Sequence, residues 1–151
     1  MHYQTVKDVV DHSRVLHQEI SSFYQKLSED QSQERVGMLL TFLKRHEDQL
    51  ESSLCQFEKD KSQKVLESWL QYAPDHNMAD VMAGLTVSDH MSADEVVSMA
   101  LKLDDYFIDL YQGMVNSTGS SSVKAVFQNL LDMEQQEKIR VSKSAIQLND
   151  M

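Results

Sequence analysis

The stripe Val36, Leu40, Leu43, Glu47, Leu50, Leu54, Phe57 constrains this chain more than any other feature of it. Its positions alternate by four and three, the spacing of the buried seam of a bundle helix. Every member is apolar except the middle one, which is a carboxylate. A glutamate in a dry seam is costly unless something neutralises it. A chain that tolerates this must bring a compensating group to the same height, and three further stretches repeat the pattern.

The first stretch reads Val6, Val10, Ser13, His17, Ile20, Tyr24, Leu27. Thr5 and Asp8 form a capping pair at its start, and the polar run 28–33 ends it. The third reads Ala93, Val97, Ala100, Asp104, Phe107, Tyr111, Met114, opened by the capping box Ser92 and Glu95. The fourth reads Val123, Phe127, Leu130, Glu134, Glu137, Val141, Ser144, Leu148, after a Ser- and Gly-rich loop over 116–122. The spacing predicts helices over about 5–28, 34–58, 92–115 and 122–148. Between the second and third lies a loosely patterned connector, 59–91. There Val65, Leu66, Trp69 and Leu70 predict a short amphipathic helix that Ala73 and Pro74 stop. A second short helix is expected over 78–85, followed by a loop over 84–89. With one Pro and four Gly in 151 residues, breakers are scarce and long helices are expected.

The two halves align without gaps at an offset of 87 residues. His17 falls on Asp104, Tyr24 on Tyr111, Leu43 on Leu130, Glu47 on Glu134, and Leu50 on Glu137. Leu16 falls on Leu103, and Val9 and Val10 on Val96 and Val97. Two helical hairpins joined by a long crossover make an all-α, single-domain four-helix bundle with pseudo-twofold symmetry. In such a bundle His17, Glu47, Asp104, Glu134 and Glu137 meet in one layer at mid-height. Four carboxylates confined there repel strongly at low dielectric. One or two divalent metals would absorb the charge. Alternatively, some carboxyls stay protonated and hydrogen-bond with His17, Tyr24 and Tyr111. The layer could also be wet and line a channel, or the seams could be rotated so that some of these groups reach solvent. The spacing leaves these open.

The remaining features narrow the class. A formal charge of -10 argues against nucleic acid or an anionic membrane as partner. No apolar run is long enough to span a bilayer, and 1–5 shows neither a basic nor an apolar signal region. The cytoplasm is the expected compartment. Cys55 stands alone, which excludes an internal disulfide and a Cys-x-x-Cys knuckle, and it reads as a small packing residue. Lys44, Arg45, Asp48, Glu51 and Glu58 read as a solvated face, with Lys44 and Asp48 an i,i+4 pair. His46 points about 100° away from Glu47 and reads as a flank residue. His2, His12, His76 and His90 are scattered. The methionines, among them Met38, Met78, Met82, Met91 and Met99, read as core filler. Exposure of Met78, Met82 and Trp69 would mark a partner or dimer face.

At the layer residues the chain resembles the ferritin-like superfamily, most of all its rubrerythrin-type bundles. That family carries Glu-x6-Tyr on helices one and three and Glu-x-x-His on helices two and four, and the set holds a di-iron or di-manganese centre. Here the motifs stand as His17-x6-Tyr24, Glu47-x-x-Leu50, Asp104-x6-Tyr111 and Glu134-x-x-Glu137. The resemblance implies a ferritin-like bundle with a degenerate metal site. It implies one divalent metal, Fe or Mn, held by Glu47, Asp104, Glu134 and Glu137 with His17 nearby, and Tyr24 and Tyr111 behind them. The alternative is a ferritin-like scaffold that works without metal as a structural or interaction module. Either form is expected to be a homo-oligomer, a dimer, and whether it is an enzyme stays open.

Overall fold

The computed structural model describes residues 5–70 and 77–149, the side chains of Ser144, Ala145, Leu148 and Asn149 excepted. His2, the Ala73-Pro74 stop, His76 and the stripe positions Ser144 and Leu148 lie outside what is described. Four long helices form the bundle: α1 (Val6–Asp30), α2 (Glu34–Asp60), α5 (Ala93–Ser117) and α6 (Ser121–Asn149). Two short ones, α3 (Gln63–Leu66) and α4 (Met78–Ala83), lie in the crossover.

Local chemistry sets the helix starts. The Thr5 hydroxyl accepts from the Asp8 N–H at 3.2 Å, and the Asp8 carboxylate accepts from the Thr5 N–H at 2.9 Å. Ser92 and Glu95 repeat this reciprocal cap at α5, at 3.1 and 3.0 Å. Each pair satisfies two backbone donors that a bare helix end leaves open.

Backbone bonds of the crossover establish the topology. Its first part is pinned to the start of α1, where the Val6 N–H donates to the Ser68 carbonyl at 3.1 Å and Thr5 and Trp69 form an isolated antiparallel bridge. Its last part is pinned to the α1–α2 turn. There the Ser32 N–H donates to the Asp89 carbonyl at 3.1 Å, and Gln31 donates to the Ser88 carbonyl at 2.8 Å and accepts from the Met91 N–H at 3.2 Å. The crossover therefore runs the length of the bundle. It forces an up-down-down-up order, in which α2 and α5 run parallel.

The core follows the repeat. Val9 and Val96, Leu16 and Leu103, Tyr24 and Tyr111, Leu43 and Leu130, and Glu47 and Glu134 are all buried in pairs. The pairing extends to Val36 and Val123, Ile20 and Phe107, and Leu40 and Phe127. Among the described residues no helix is long and apolar enough to cross a membrane.

Some expectations shift. The short helix predicted through Trp69 and Leu70 stops at Leu66, because Trp69 is drawn into the bridge with Thr5. Trp69 is 73% exposed, whereas Met78 is buried and Met82 partly buried. Met38 is exposed and not core filler, while Met91 and Met99 are buried. On the face read as solvated, Lys44 bonds Asp48 at 2.7 Å as expected. Glu51 and Glu58 instead clamp Arg14 across the α1–α2 hairpin, at 3.1 and 3.4 Å.

Candidate functional site

Four of the layer residues converge at mid-bundle: His17 from α1, Glu47 from α2, Asp104 from α5 and Glu134 from α6, all buried. Their arrangement is not that of four carboxylate-type ligands around a gap. The His17 ring lies between the two symmetry-related glutamates. Its Nδ1 bonds Glu47 and its Nε2 bonds Glu134 at 2.9 Å. Phe107, one turn along α5 from Asp104, stacks on the ring at 3.9 Å between centroids and 11° between planes. The ring is thus fixed in both position and orientation.

Electrostatics follow from that geometry. Burial alone opposes charge on His17, but the carboxylates of Glu47 and Glu134 outweigh it and raise its pKa to about 10. With a carboxylate at each nitrogen the ring is an imidazolium at neutral pH. Asp104 goes the other way: burial, then the charges of Glu47 and Glu134, push its carboxyl up to about 8. Among the described residues its buried Oδ2 has no hydrogen-bond partner. Glu134 is also raised, by burial first, although His17 counteracts this. Tyr24 is buried behind the layer, and burial together with Glu47 and Asp104 raises its hydroxyl pKa. Tyr111, equally buried, stacks on Phe127.

Glu137 does not join this cluster. It lies at the rim, where its Oε2 meets His46 Nδ1 at 3.1 Å and its Oε1 accepts from Arg140. His46, read from the sequence as a flank residue, is largely buried there against the edge of Phe42. The sequence reading missed two partners, Phe107 for His17 and His46 for Glu137. Arg140, one turn after Glu137, is the one signal that could have pointed Glu137 outward.

The layer as it stands does not fit a metal. Both nitrogens of His17 are committed to carboxylate oxygens, Glu137 is engaged elsewhere, and Leu50 offers no donor. Among the described residues no three His, Cys, Asp or Glu side chains are grouped so as to hold an ion. What the arrangement does chemically is neutralise buried acid internally, by an imidazolium and by protons.

The architecture matches a solved structure over nearly the whole of both chains. That structure is a protein of Thermotoga maritima described as a ferritin-like diiron-carboxylate protein. It superposes with a TM-score of 0.59 over 96% of this chain and 97% of the other, at 18% identity. The fold is ferritin-like. At that identity the likeness speaks for the ferritin-like fold alone. No protein-family model matches the sequence, and no curated protein matches it.

Proposed function

We propose that this protein is a metal-independent ferritin-like scaffold, a structural or protein-interaction module of the cytoplasm and not an oxidase or iron store. One observation carries the reading: the His17 ring holds the position between Glu47 and Glu134, bonded to both. An imidazolium there supplies the positive charge that a metal would otherwise bring. The dimer expected from the sequence belongs to this proposal. The exposed Met38, Trp69, Ile139 and Ile146, on three different elements, leave apolar area for contacts.

A second reading keeps one divalent ion, iron or manganese. It is favoured by Asp104, whose buried Oδ2 has no hydrogen-bond partner among the described residues and would gain one from a cation. Elemental analysis of protein purified without chelator separates the two. The scaffold reading expects far less than one equivalent of Fe or Mn per chain, unchanged in Glu134→Ala. Stoichiometric metal that disappears in that variant would overturn it.

A further inference from the structure

We infer that a second copy of this chain docks antiparallel along the outer face of α2, across a seam that runs from Glu34 through Met38 and Thr41 to Arg45. The inference deepens the scaffold reading, which expects a dimer, and rests on it for the kind of partner.

The face is an open groove of about 520 Å3 between the last turn of α1 and the first turns of α2. Glu34, Met38, Thr41 and Arg45 line it at spacings of four, three and four, the rhythm of a helix-pairing seam. They lie on the side of α2 turned away from the buried Val36, Leu40 and Leu43, and Met38 is 59% exposed. Three observations point to a second copy. First, the strip is complementary to itself. An antiparallel twofold at the height midway between Leu39 and Leu40 sets Glu34 opposite Arg45 of the second copy, and Met38 opposite its Thr41. Each acid then meets a base, and each long apolar side chain a short one, on both halves of the seam. A parallel twofold would instead set Glu34 against Glu34 and Arg45 against Arg45. Second, the bundle does not demand these residues. Under the 87-residue repeat the equivalent strip on α6 reads Ser121, Ala125, Gln128 and Asp132, all exposed. That strip has no large apolar residue and no base to meet its acid. Third, the flanks suit close approach. On one flank lies Gly37, where a Cβ would make ordinary contact with the Ser28 carbonyl at 3.4 Å. A glycine inside a helix weakens it, and here it leaves room for a neighbouring backbone. On the other flank Phe42, partly buried, adds apolar surface to the groove. The equivalent positions on α6 are Lys124 and Asn129, both exposed.

The experiment is sedimentation velocity of the full chain over a range of concentrations. It compares wild type, Glu34→Arg, Arg45→Glu, Met38→Asp and an equimolar mixture of the first two variants. Wild type is expected to pass from monomer to dimer as its concentration rises through about 1–100 µM. Glu34→Arg and Arg45→Glu each place like charges opposite one another at both ends of the seam. Each alone should weaken association by at least about tenfold. Their mixture should recover wild-type association, because each variant supplies the charges that the other lacks. Met38→Asp should weaken association to a similar degree. All three positions are exposed, so circular dichroism should show wild-type folding in every variant. Wild type that stays monomeric throughout, or a mixture that does not recover, overturns the inference. A dimer that survives all three substitutions also overturns it, and leaves the scaffold reading intact with the dimer on another face. Stoichiometric metal in the purified wild type would defeat the scaffold reading and leave the result at the seam as it stands.

Discussion

Asp104→Asn isolates the cost of burying acid in the central layer. Asp104 is 7% exposed, and its carboxyl is raised from 3.8 to about 8 by burial and by Glu47 and Glu134. The folded protein therefore keeps a proton at pH 7 that the unfolded chain releases. Each pKa unit is worth about 1.4 kcal/mol, so holding this proton costs roughly 4 kcal/mol at pH 7. Asparagine has the same shape, needs no proton, and offers an N–H2 donor toward the neighbouring carboxylates. Allowing for relaxation around the site, the variant should gain roughly 2–4 kcal/mol at pH 7. For a chain of this size that is a rise in Tm of about 5–15 °C. Urea unfolding and thermal melts followed by circular dichroism at pH 5, 7 and 9 measure it. The gain should shrink toward pH 4, where Asp104 is protonated in both states. A variant that melts lower than wild type at every pH would refute the reasoning. It would mean that the negative charge of Asp104 is used, as it is when a cation sits beside it.

Other outcomes follow from the same layer. His17 has a raised pKa, so its contribution is complete below about 6.5 and is lost as pH rises through about 10. Asp104, also raised, favours the unfolded state increasingly from about 4 to 8. Both signs agree, and melts should show stability falling steadily from pH 6 to 10; a flat or rising profile would contradict them. Glu134→Leu leaves an imidazolium with a single carboxylate and should destabilise by roughly 3–5 kcal/mol. Glu137→Leu, at the rim with His46 and Arg140, should cost about 1 kcal/mol or less. Equal losses in the two variants, measured by denaturant unfolding, would show that the rim and the layer are one unit. Phe107→Ala removes the stacked face of His17 and opens a cavity, with an expected loss of about 3–5 kcal/mol.

Much of the fold was legible because it is periodic. The four stripes, the capping residues Thr5 and Ser92 and the 87-residue repeat each constrain backbone or burial through local rules, and these hold regardless of side-chain orientation. The convergence of His17, Glu47, Asp104 and Glu134 was legible for the same reason. What the layer does with its charge was not. Whether an imidazole lies beside a cation or replaces one depends on its rotamer, and that is set by Phe107 from another helix. Glu137 was placed in the layer by its i,i+3 relation to Glu134. On α6 that step carries it to the rim, where contacts from α2 capture it. His46 was set aside by the angle between neighbours on one helix, an argument blind to a second helix packed on that flank. Trp69 was misread because its pattern is local, whereas its bridge to Thr5 spans 64 residues of chain.

The central claim, a charged imidazole ring lodged between two glutamates, is accessible to nitrogen-15 NMR of the histidine side chains. The spectra are recorded across pH on the untreated protein. The account predicts that both ring nitrogens of His17 carry protons through pH 8 and release one only near 10. A His17 ring that loses its proton near the ordinary value of 6.5, or that shows one nitrogen bound to a metal, would contradict it.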